Sequence, residues 1–284
     1  MSTPPFLELP AGVEATRIDT GRGPLAALRG HPSVATRPPV LLVPGFTGSK
    51  EDFIAVLSPL ATAGHPVVAI DQRGQFESPG EDDPSAYDLK ALAEDVVAVG
   101  AGLGQPVHLV GHSFGGLVAR AAALAEPARW ASLTLLGSGP GPIPHPSATN
   151  LELIVQALPV MDLESIWQAK RELERPHETT PIRPEIEEWM HRRFLANHPT
   201  CLRRMAEQLL GESDRVAELA ELSLPTLVLH GSADDAWPPE QQADMARRLG
   251  AEHFVVPEVG HSPAAEAPDD TAVALLDFFA SVSG

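Results

Sequence analysis

The feature that most constrains this chain is the motif Gly-His-Ser-Phe-Gly at 111–115, which stands between an apolar run and an alanine-rich segment. The run at 107–110 has the length and β-branched content of a buried strand, and the segment at 114–125 has the pattern of a helix. A turn this tight leaves no room for a Cβ at either glycine, and its strain lifts the serine oxygen clear of the sheet. Ser113 is therefore the candidate nucleophile.

Strand-like and helix-like segments alternate over most of the chain. Further apolar runs bounded by Pro or Gly lie at 40–43, 67–70, 133–136 and 226–229. Helix-like segments lie at 52–62, 88–101, 239–249 and 269–282. Short runs that are apolar throughout are typical of strands buried on both faces, and alternation with helices is typical of repeated βαβ units. The sequence predicts an α/β fold with a mostly parallel central sheet flanked by helices.

The alternation stops between about 141 and 222. Helix-like stretches follow one another there without a strand-like run, at 151–158, 163–173, 184–197 and 202–210. Loops at the carboxyl ends of parallel strands border the usual ligand crevice, so an insertion at this point could cover it. We expect a core formed by 1–140 and 223–284 and a helical cap formed by 141–222, entered through a stiff Gly- and Pro-rich hinge at 139–146.

These features together resemble the α/β-hydrolase superfamily, from about Pro38 to Phe279. The family supplies its catalytic residues in the order serine, acid, histidine. Residues 228–238 resemble the family's strand that ends in Gly-x-x-Asp with a proline four residues later, which selects Asp234 over the adjacent Asp235. The Gly-His pair that ends at His261 resembles the family's closing loop. The resemblance thus implies His261 as the base and Asp234 as the carboxylate that orients it.

The resemblance also implies an oxyanion hole made of two backbone N–H groups. One donor is Phe114, directly after the nucleophile, and the second is Phe46, in the turn after the first apolar run. Pro44 stands where the family usually has a histidine. Residues 71–78 resemble the family's Asp-x-Arg-Gly turn, which we interpret as a brace for the oxyanion turn, with Phe76 in a position where glycine is common.

Apolar and aromatic residues of the cap predict a largely apolar substrate pocket. The candidates for its lining are Met161, Trp167 and Phe76, with Trp237 beside the acid; Leu158, Trp189 and Phe194 are further cap residues of this kind. Helical caps need such residues for their own packing as well, so each assignment competes with a structural role.

Charge and composition narrow the range of partners. A formal net charge of −18 would repel nucleic acid and anionic lipid surfaces. The single cysteine, Cys201, cannot form an internal disulfide, and the chain shows neither a signal-peptide pattern nor an apolar stretch long enough to span a membrane. No metal-binding, Walker or dinucleotide motif is present. We expect a cytoplasmic protein that uses no cofactor and acts on a small molecule; its oligomeric state is open.

These residues predict a serine hydrolase that cleaves carboxylic esters through an acyl-enzyme. A serine at the elbow argues against the family's epoxide hydrolases and haloalkane dehalogenases, which use aspartate there. Lactones, thioesters, carbon–carbon bonds of diketones and perhydrolysis stay open within the same three residues, as does a lyase that forms no acyl-enzyme. A non-catalytic scaffold that binds a ligand in the capped pocket is the alternative from a different class.

Overall fold

The computed structural model describes residues 2–174 and 181–282, and its centre is an eight-stranded sheet with the order β1-β2-β4-β3-β5-β6-β7-β8. The six strands from β3 to β8 run parallel, and β1 and β2 are antiparallel to their neighbours. The strands are β1 Val13–Thr20, β2 Gly23–Gly30, β3 Val40–Val43, β4 Val67–Ile70, β5 Val107–His112, β6 Trp130–Leu136, β7 Thr226–Gly231 and β8 Glu252–Val256. The predicted fold class is confirmed.

Helices cover both faces of the sheet. They are α1 Ile54–Thr62, α2 Leu89–Gly102, α3 Phe114–Ala125, α4 Ala148–Ala157, α5 Leu163–Glu174, α6 Pro184–Leu195, α7 Pro199–Gly211, α8 Val216–Ala220, α9 Pro239–Leu249, α10 Pro263–Glu266 and α11 Pro268–Val282. Successive side chains of a strand point to opposite faces, so Leu41 packs in the core on the side of α2 and α3 while Leu42 packs on the side of α1 and α11. Burial on both sides explains why these strands are apolar at every position.

The hairpin of β1 and β2 did not follow from the sequence analysis, which found no strand before residue 40. In β1, half-buried and exposed residues alternate, whereas the strands that were predicted from the sequence are uninterrupted apolar runs. β1 lies at the edge of the sheet, and only one of its faces packs on the protein. The alternation of a half-exposed strand was the signal that was missed.

Helices α4 to α8 lie between β6 and β7, and we call this segment the helical insertion. The described residues between 141 and 222 form no strand. Buried residues of α5 and α6 form an apolar cluster of their own, which includes Trp167, Trp189 and Phe194. Buried residues of α7, such as Met205, belong instead to the main core on the face of α2 and α3. The insertion is therefore anchored to the core by α7, and also by Leu151 of α4 and Val216 and Leu219 of α8.

In the part of the chain that is described, no helix is both long enough and apolar enough to cross a membrane.

Candidate active site

Ser113 occupies the turn between β5 and α3 with φ 54° and ψ −121°, a conformation that costs a non-glycine residue about 1–3 kcal/mol. The neighbouring glycines explain how the turn closes. A Cβ on Gly111 would come within 2.3 Å of the carbonyl oxygen of Gly115, and a Cβ on Gly115 within 2.3 Å of the carbonyl oxygen of Val43. Both contacts are with backbone atoms, which cannot move away without distorting the turn or the strand. The elbow that the sequence predicted is therefore formed, with the serine at its apex.

Ser113, His261 and Asp234 are joined by two hydrogen bonds. Nδ1 of His261 lies 2.9 Å from Oδ1 of Asp234, and Nε2 of His261 lies 2.9 Å from Oγ of Ser113. An ionised carboxylate can only accept, so Nδ1 of His261 carries the proton and its Nε2 is free to accept from the serine hydroxyl. The three residues come from the loops that follow β5, β7 and β8, at the carboxyl edge of the parallel sheet.

The two adjacent aspartates have different surroundings. Asp234 is buried and meets His261, whereas Asp235 is exposed. Backbone N–H of Ala236 also donates to Oδ1 of Asp234, at 2.9 Å, and Nε2 of Gln242 donates to its Oδ2, at 2.9 Å. Burial alone raises the pKa of the Asp234 carboxyl, but the hydrogen bond and charge of His261, with these further donors, bring its pKa below the ordinary value. Asp234 therefore stays ionised beside the imidazole.

His112, which directly precedes Ser113, makes a different contact with the site. Its Nε2 donates to the carbonyl oxygen of His261 at 2.8 Å, so it holds the backbone of the loop that carries the imidazole. Burial lowers the pKa of His112 to about 3, and proximity to the His261 ring lowers it as well. His112 is thus a neutral hydrogen-bond donor within the protein interior.

The turn after β3 lies against the nucleophile. A Cβ on Gly45 would come within 2.8 Å of Cβ of Ser113, so only glycine permits this approach. Phe46 follows in the turn, and Phe114 is the first residue of α3. Among the described residues, the backbone N–H groups of Phe46 and Phe114 have no hydrogen-bond acceptor. Both groups are therefore free to bind an oxygen of a ligand.

The turn at residues 71–78 braces the turn after β3, as the sequence led us to expect. The side-chain amide of Gln72 donates to the carbonyl oxygen of Pro44, and that of Gln75 donates to the carbonyl oxygen of Gly45, each at 2.8 Å. Because both amides are buried, their loss would leave unpaired carbonyls in the interior. The two turns are therefore held together as one unit.

An open cavity of about 920 Å³ adjoins His261. One wall is formed by Ile186 and Met190 of α6, and another by the N-terminal residues Pro4 and Pro5. Charged side chains of both signs also line it: Arg171, Glu174, Arg183, Asp235 and Glu266. The lining is therefore apolar on the side of α6 and charged elsewhere.

None of the four pocket candidates lines this cavity. Trp237 is fully buried, its Nε1 donates to the carbonyl oxygen of Pro142 at 3.2 Å, and a Cβ on Gly139 would come within 2.1 Å of its ring. Trp167 is buried inside the insertion and stacks on His191. Trp237 belongs to the main core and Trp167 to the apolar cluster of the insertion, so both indoles fill interior space.

Met161 and Phe76 do not line the described part of the cavity either. Met161 is 41% exposed and lies in a separate apolar groove between α4 and α5, on the outside of the insertion. Phe76, half-buried with φ 39°, packs its ring edge to face with Trp189. Apolar character identified residues that pack, but it did not identify which surface they pack against.

The sequence analysis missed Gln242 and Arg193, two buried polar residues of the site region. Gln242 lies on the buried face of α9 with Met245 and Ala246, at the spacing i, i+3, i+4. Arg193 lies on the buried face of α6, one turn after Trp189. A polar residue at a core-facing helical position was the available signal.

Within 2–174 and 181–282, no group of three or more His, Cys, Asp or Glu side chains is arranged to hold a metal ion.

The profile of the alpha/beta hydrolase family matches residues 40–274, which is most of the chain. This protein therefore belongs to the alpha/beta hydrolase family. A relative named carbamate hydrolase RutD, from Variovorax paradoxus, is 32% identical over 263 residues, which are 86% of this chain and 92% of the relative.

Solved structures agree on the fold. An esterase of Thermogutta terrifontis superposes with a TM-score of 0.76 at 26% identity and covers 95% of this chain and 99% of its own. A structure described as a lipase, from Acinetobacter baumannii, superposes with a TM-score of 0.81 at 24% identity and covers 96% of this chain and 93% of its own. Among these proteins the fold is shared more closely than the sequence.

Proposed function

We propose that this hydrolase cleaves a carboxylic ester, or a related carbonyl substrate, through an acyl-enzyme on Ser113. The observation that carries the proposal is the continuous hydrogen-bonded path from Asp234 through His261 to the oxygen of Ser113. It is a path for proton transfer: the serine is at the strained apex, the imidazole accepts at Nε2, and the carboxylate is fixed at Nδ1.

In the first half of the reaction, Nε2 of His261 takes the proton of Ser113 as its oxygen attacks the substrate carbonyl. The carbonyl oxygen becomes negative and binds the backbone N–H groups of Phe46 and Phe114, an interaction typically worth about 2–4 kcal/mol per donor in the transition state. Collapse of the tetrahedral intermediate transfers the proton from Nε2 to the leaving alcohol. Asp234 stabilises the imidazolium while the proton is there.

In the second half, a water molecule takes the place of the alcohol. His261 removes a proton from this water, the resulting hydroxide attacks the acyl carbonyl, and the same two N–H groups bind the oxyanion. The proton then returns to Oγ of Ser113, and the carboxylic acid leaves. The serine and histidine finish in the states in which they began.

We propose that the helical insertion is a cap over this site and that the substrate is small and largely apolar. The support is the apolar wall contributed by Ile186 and Met190 of α6 to the cavity beside His261. Such a wall favours binding of an apolar acyl or alcohol group.

Carbamate hydrolysis is a second candidate, favoured by the RutD relative, which matches over 86% of this chain. A carbamate presents the same carbonyl to the serine, so the chemistry above applies with a carbamoyl group in place of an acyl group. Phenyl acetate and phenyl carbamate form a matched pair of substrates, since both release phenol. Their relative kcat/KM values decide between the two candidates.

Covalent labelling tests the serine mechanism. A fluorophosphonate probe should label the wild-type protein at Ser113, and Ser113→Ala should lose both the label and ester turnover while remaining folded. Ser138→Ala is the matched control, because Ser138 is also buried near the elbow, beside Gly116, but makes no hydrogen bond to His261 among the described residues. Turnover retained by Ser113→Ala would exclude the mechanism, and a wild-type protein that neither labels nor turns over substrate would point to a ligand-binding scaffold.

Lactonase, thioesterase, carbon–carbon hydrolase, lyase and perhydrolase activities share the same three residues. A panel of p-nitrophenyl esters of increasing chain length, an acyl thioester and a lactone separates the hydrolytic possibilities by kcat/KM.

A further inference from the structure

Arg193 brings together three segments that are distant in sequence. The residue belongs to α6 of the insertion, and its side chain is fully buried. Its guanidinium donates to Oδ1 of Asp52 at 2.6 Å and to Oγ of Ser49 at 3.3 Å, both of which follow the turn after β3. Its second arm donates to the carbonyl oxygen of Ser2 at 2.7 Å, in the N-terminal segment. One side chain therefore ties the insertion and the N-terminal segment to the core.

Asp52, the ionic partner of Arg193, lies directly beside the turn that carries Phe46. Oδ2 of Asp52 accepts from the backbone N–H of Ser49 at 3.3 Å, and a Cβ on Gly48 would come within 2.4 Å of the same oxygen. The carboxylate thus fills the space under the turn at residues 45–49. A displacement of Asp52 would move this turn, which places the N–H of Phe46 relative to Ser113.

The N-terminal segment bound by Arg193 also reaches the site. Oγ of Ser2 lies 2.8 Å from Oγ of Ser262, the residue after His261. Thr3, Pro4 and Pro5 continue along the cavity beside His261. Arg193 therefore contacts segments on two sides of the candidate active site, the turn with the oxyanion donor and the wall of the cavity.

We propose that Arg193 is a positioning residue for catalysis: through Asp52 and Ser49 it holds the N–H of Phe46 where the oxyanion forms, and it makes that position depend on the docking of α6. This role rests on the proposed function. A guanidinium suits it because its planar fork presents N–H donors on separate nitrogens in fixed directions, whereas an ammonium donates from one freely rotating nitrogen.

The expected signature is a loss of transition-state binding rather than substrate binding. For Arg193→Met we expect kcat to fall by about 30-fold while KM changes by less than about threefold, the pattern of an interaction made in the transition state. The affinity for a trifluoromethyl ketone, which forms a tetrahedral oxyanion with serine, should fall by about the same factor as kcat/KM. Arg193→Lys should recover part of the loss.

Arg120 provides a matched control. It is 2% exposed and also joins the core to the insertion, through Glu212 at 2.7 Å, but its hydrogen bonds reach no residue of the turn at 45–49. Arg120→Met should lower the Tm to a similar extent and leave kcat nearly unchanged. All rates are expressed per site titrated by the fluorophosphonate, so that unfolded protein does not enter the comparison.

A lone buried carboxylate at Asp52 can by itself prevent folding, so the double variant Arg193→Met with Asp52→Asn removes both charges. This protein should fold and still show the loss of kcat. Wild-type kcat in the double variant, or a loss in Arg120→Met equal to that in Arg193→Met, would overturn the positioning role. If wild-type Ser113 takes no label, the proposed function fails and the positioning role fails with it; with labelling intact, the kinetic comparison judges Arg193 alone.

Discussion

The side-chain amide of Gln242 donates to Oδ2 of Asp234 at 2.9 Å, and the same nitrogen donates to the carbonyl oxygen of Trp237 at 2.9 Å. Both partners can only accept, so the orientation of the amide is determined. With His261 and Ala236 on Oδ1, both oxygens of the Asp234 carboxylate are engaged. The plane of the carboxylate, and through it the imidazole, is therefore fixed from α9.

Replacement of Gln242 with leucine should lower the catalytic rate without unfolding the protein. The change removes a hydrogen bond to a charged group, an interaction worth about 1.5–3 kcal/mol, and we expect kcat to fall by about tenfold. Gln241→Leu is the control, because this adjacent glutamine makes no hydrogen bond to Asp234 among the described residues. Steady-state kinetics on an ester substrate check the difference; equal effects of the two changes would show that Gln242 does not orient the acid.

The two adjacent aspartates should differ sharply in their amide variants. Asp234→Asn replaces the carboxylate with a neutral amide, whose NH2 group can face Nδ1 of His261 and favour the wrong tautomer, so we expect kcat to fall by about 1,000-fold or more. Asp235→Asn changes an exposed carboxylate and should keep most of the activity. Kinetics of the two purified variants at one pH are sufficient, and the reverse order of effects would mean that Asp235 is the functional acid.

Gly115 should tolerate no side chain. An alanine Cβ there would lie 2.3 Å from the carbonyl oxygen of Val43 and 2.5 Å from that of Pro44, so the elbow and the strand must separate. Overpacking of this kind costs about 3 kcal/mol, which for a chain of this size lowers the Tm by about 6 °C or more. Gly102→Ala is the control: no atom lies within 4 Å of its Cβ, and it ends α2. Thermal unfolding followed by circular dichroism should show a drop for Gly115→Ala alone.

The buried His108 should make folding sensitive to acid. Burial lowers the pKa of His108 to about 4, with a further lowering from the nearby His65. An unfolded histidine binds its proton near pH 6.5, so between about pH 6.5 and 4 the unfolded state holds the extra proton and stability falls as the pH falls. His108→Gln should remove this contribution, about 2 kcal/mol between pH 7.5 and 5.

Urea unfolding of the wild type and His108→Gln at several pH values measures that contribution. The free energy of unfolding of the variant should change less steeply with pH than that of the wild type. Identical slopes would mean that His108 is protonated as readily in the folded protein as in the unfolded chain.

The features of the fold that could be predicted from the sequence are those that depend on residues close together in the chain. The elbow at Ser113 needs its two glycines within five residues, and uninterrupted apolar runs such as 107–110 are required where a strand is covered on both faces. Asp234 and His261 were assigned through the resemblance to the α/β-hydrolase superfamily, from motifs whose residues are contiguous in the chain. Such features are readable because neighbouring residues alone determine them.

Contacts between segments that are distant in the chain could not be predicted in this way. The amphipathic pattern shows that Arg193 and Gln242 face inward, but which groups meet them depends on how α6 and α9 dock. The same limit explains the pocket residues. Trp167 and Trp237 are apolar enough for a binding site, yet each fills the interior of its own neighbourhood.

The order of the site residues along the chain determines the order in which they are synthesised. The elbow at Ser113 and the turn with Phe46 precede the insertion, whereas Asp234 and His261 come only after β7 and β8. During synthesis, the proposed nucleophile is therefore made long before the proposed base, and by that mechanism a chain that ends before β8 cannot turn over substrate. In refolding from denaturant the whole chain is present, but the recovery of activity should still lag behind the recovery of helical signal, because helices form from local contacts whereas activity needs β7 and β8 docked on the sheet.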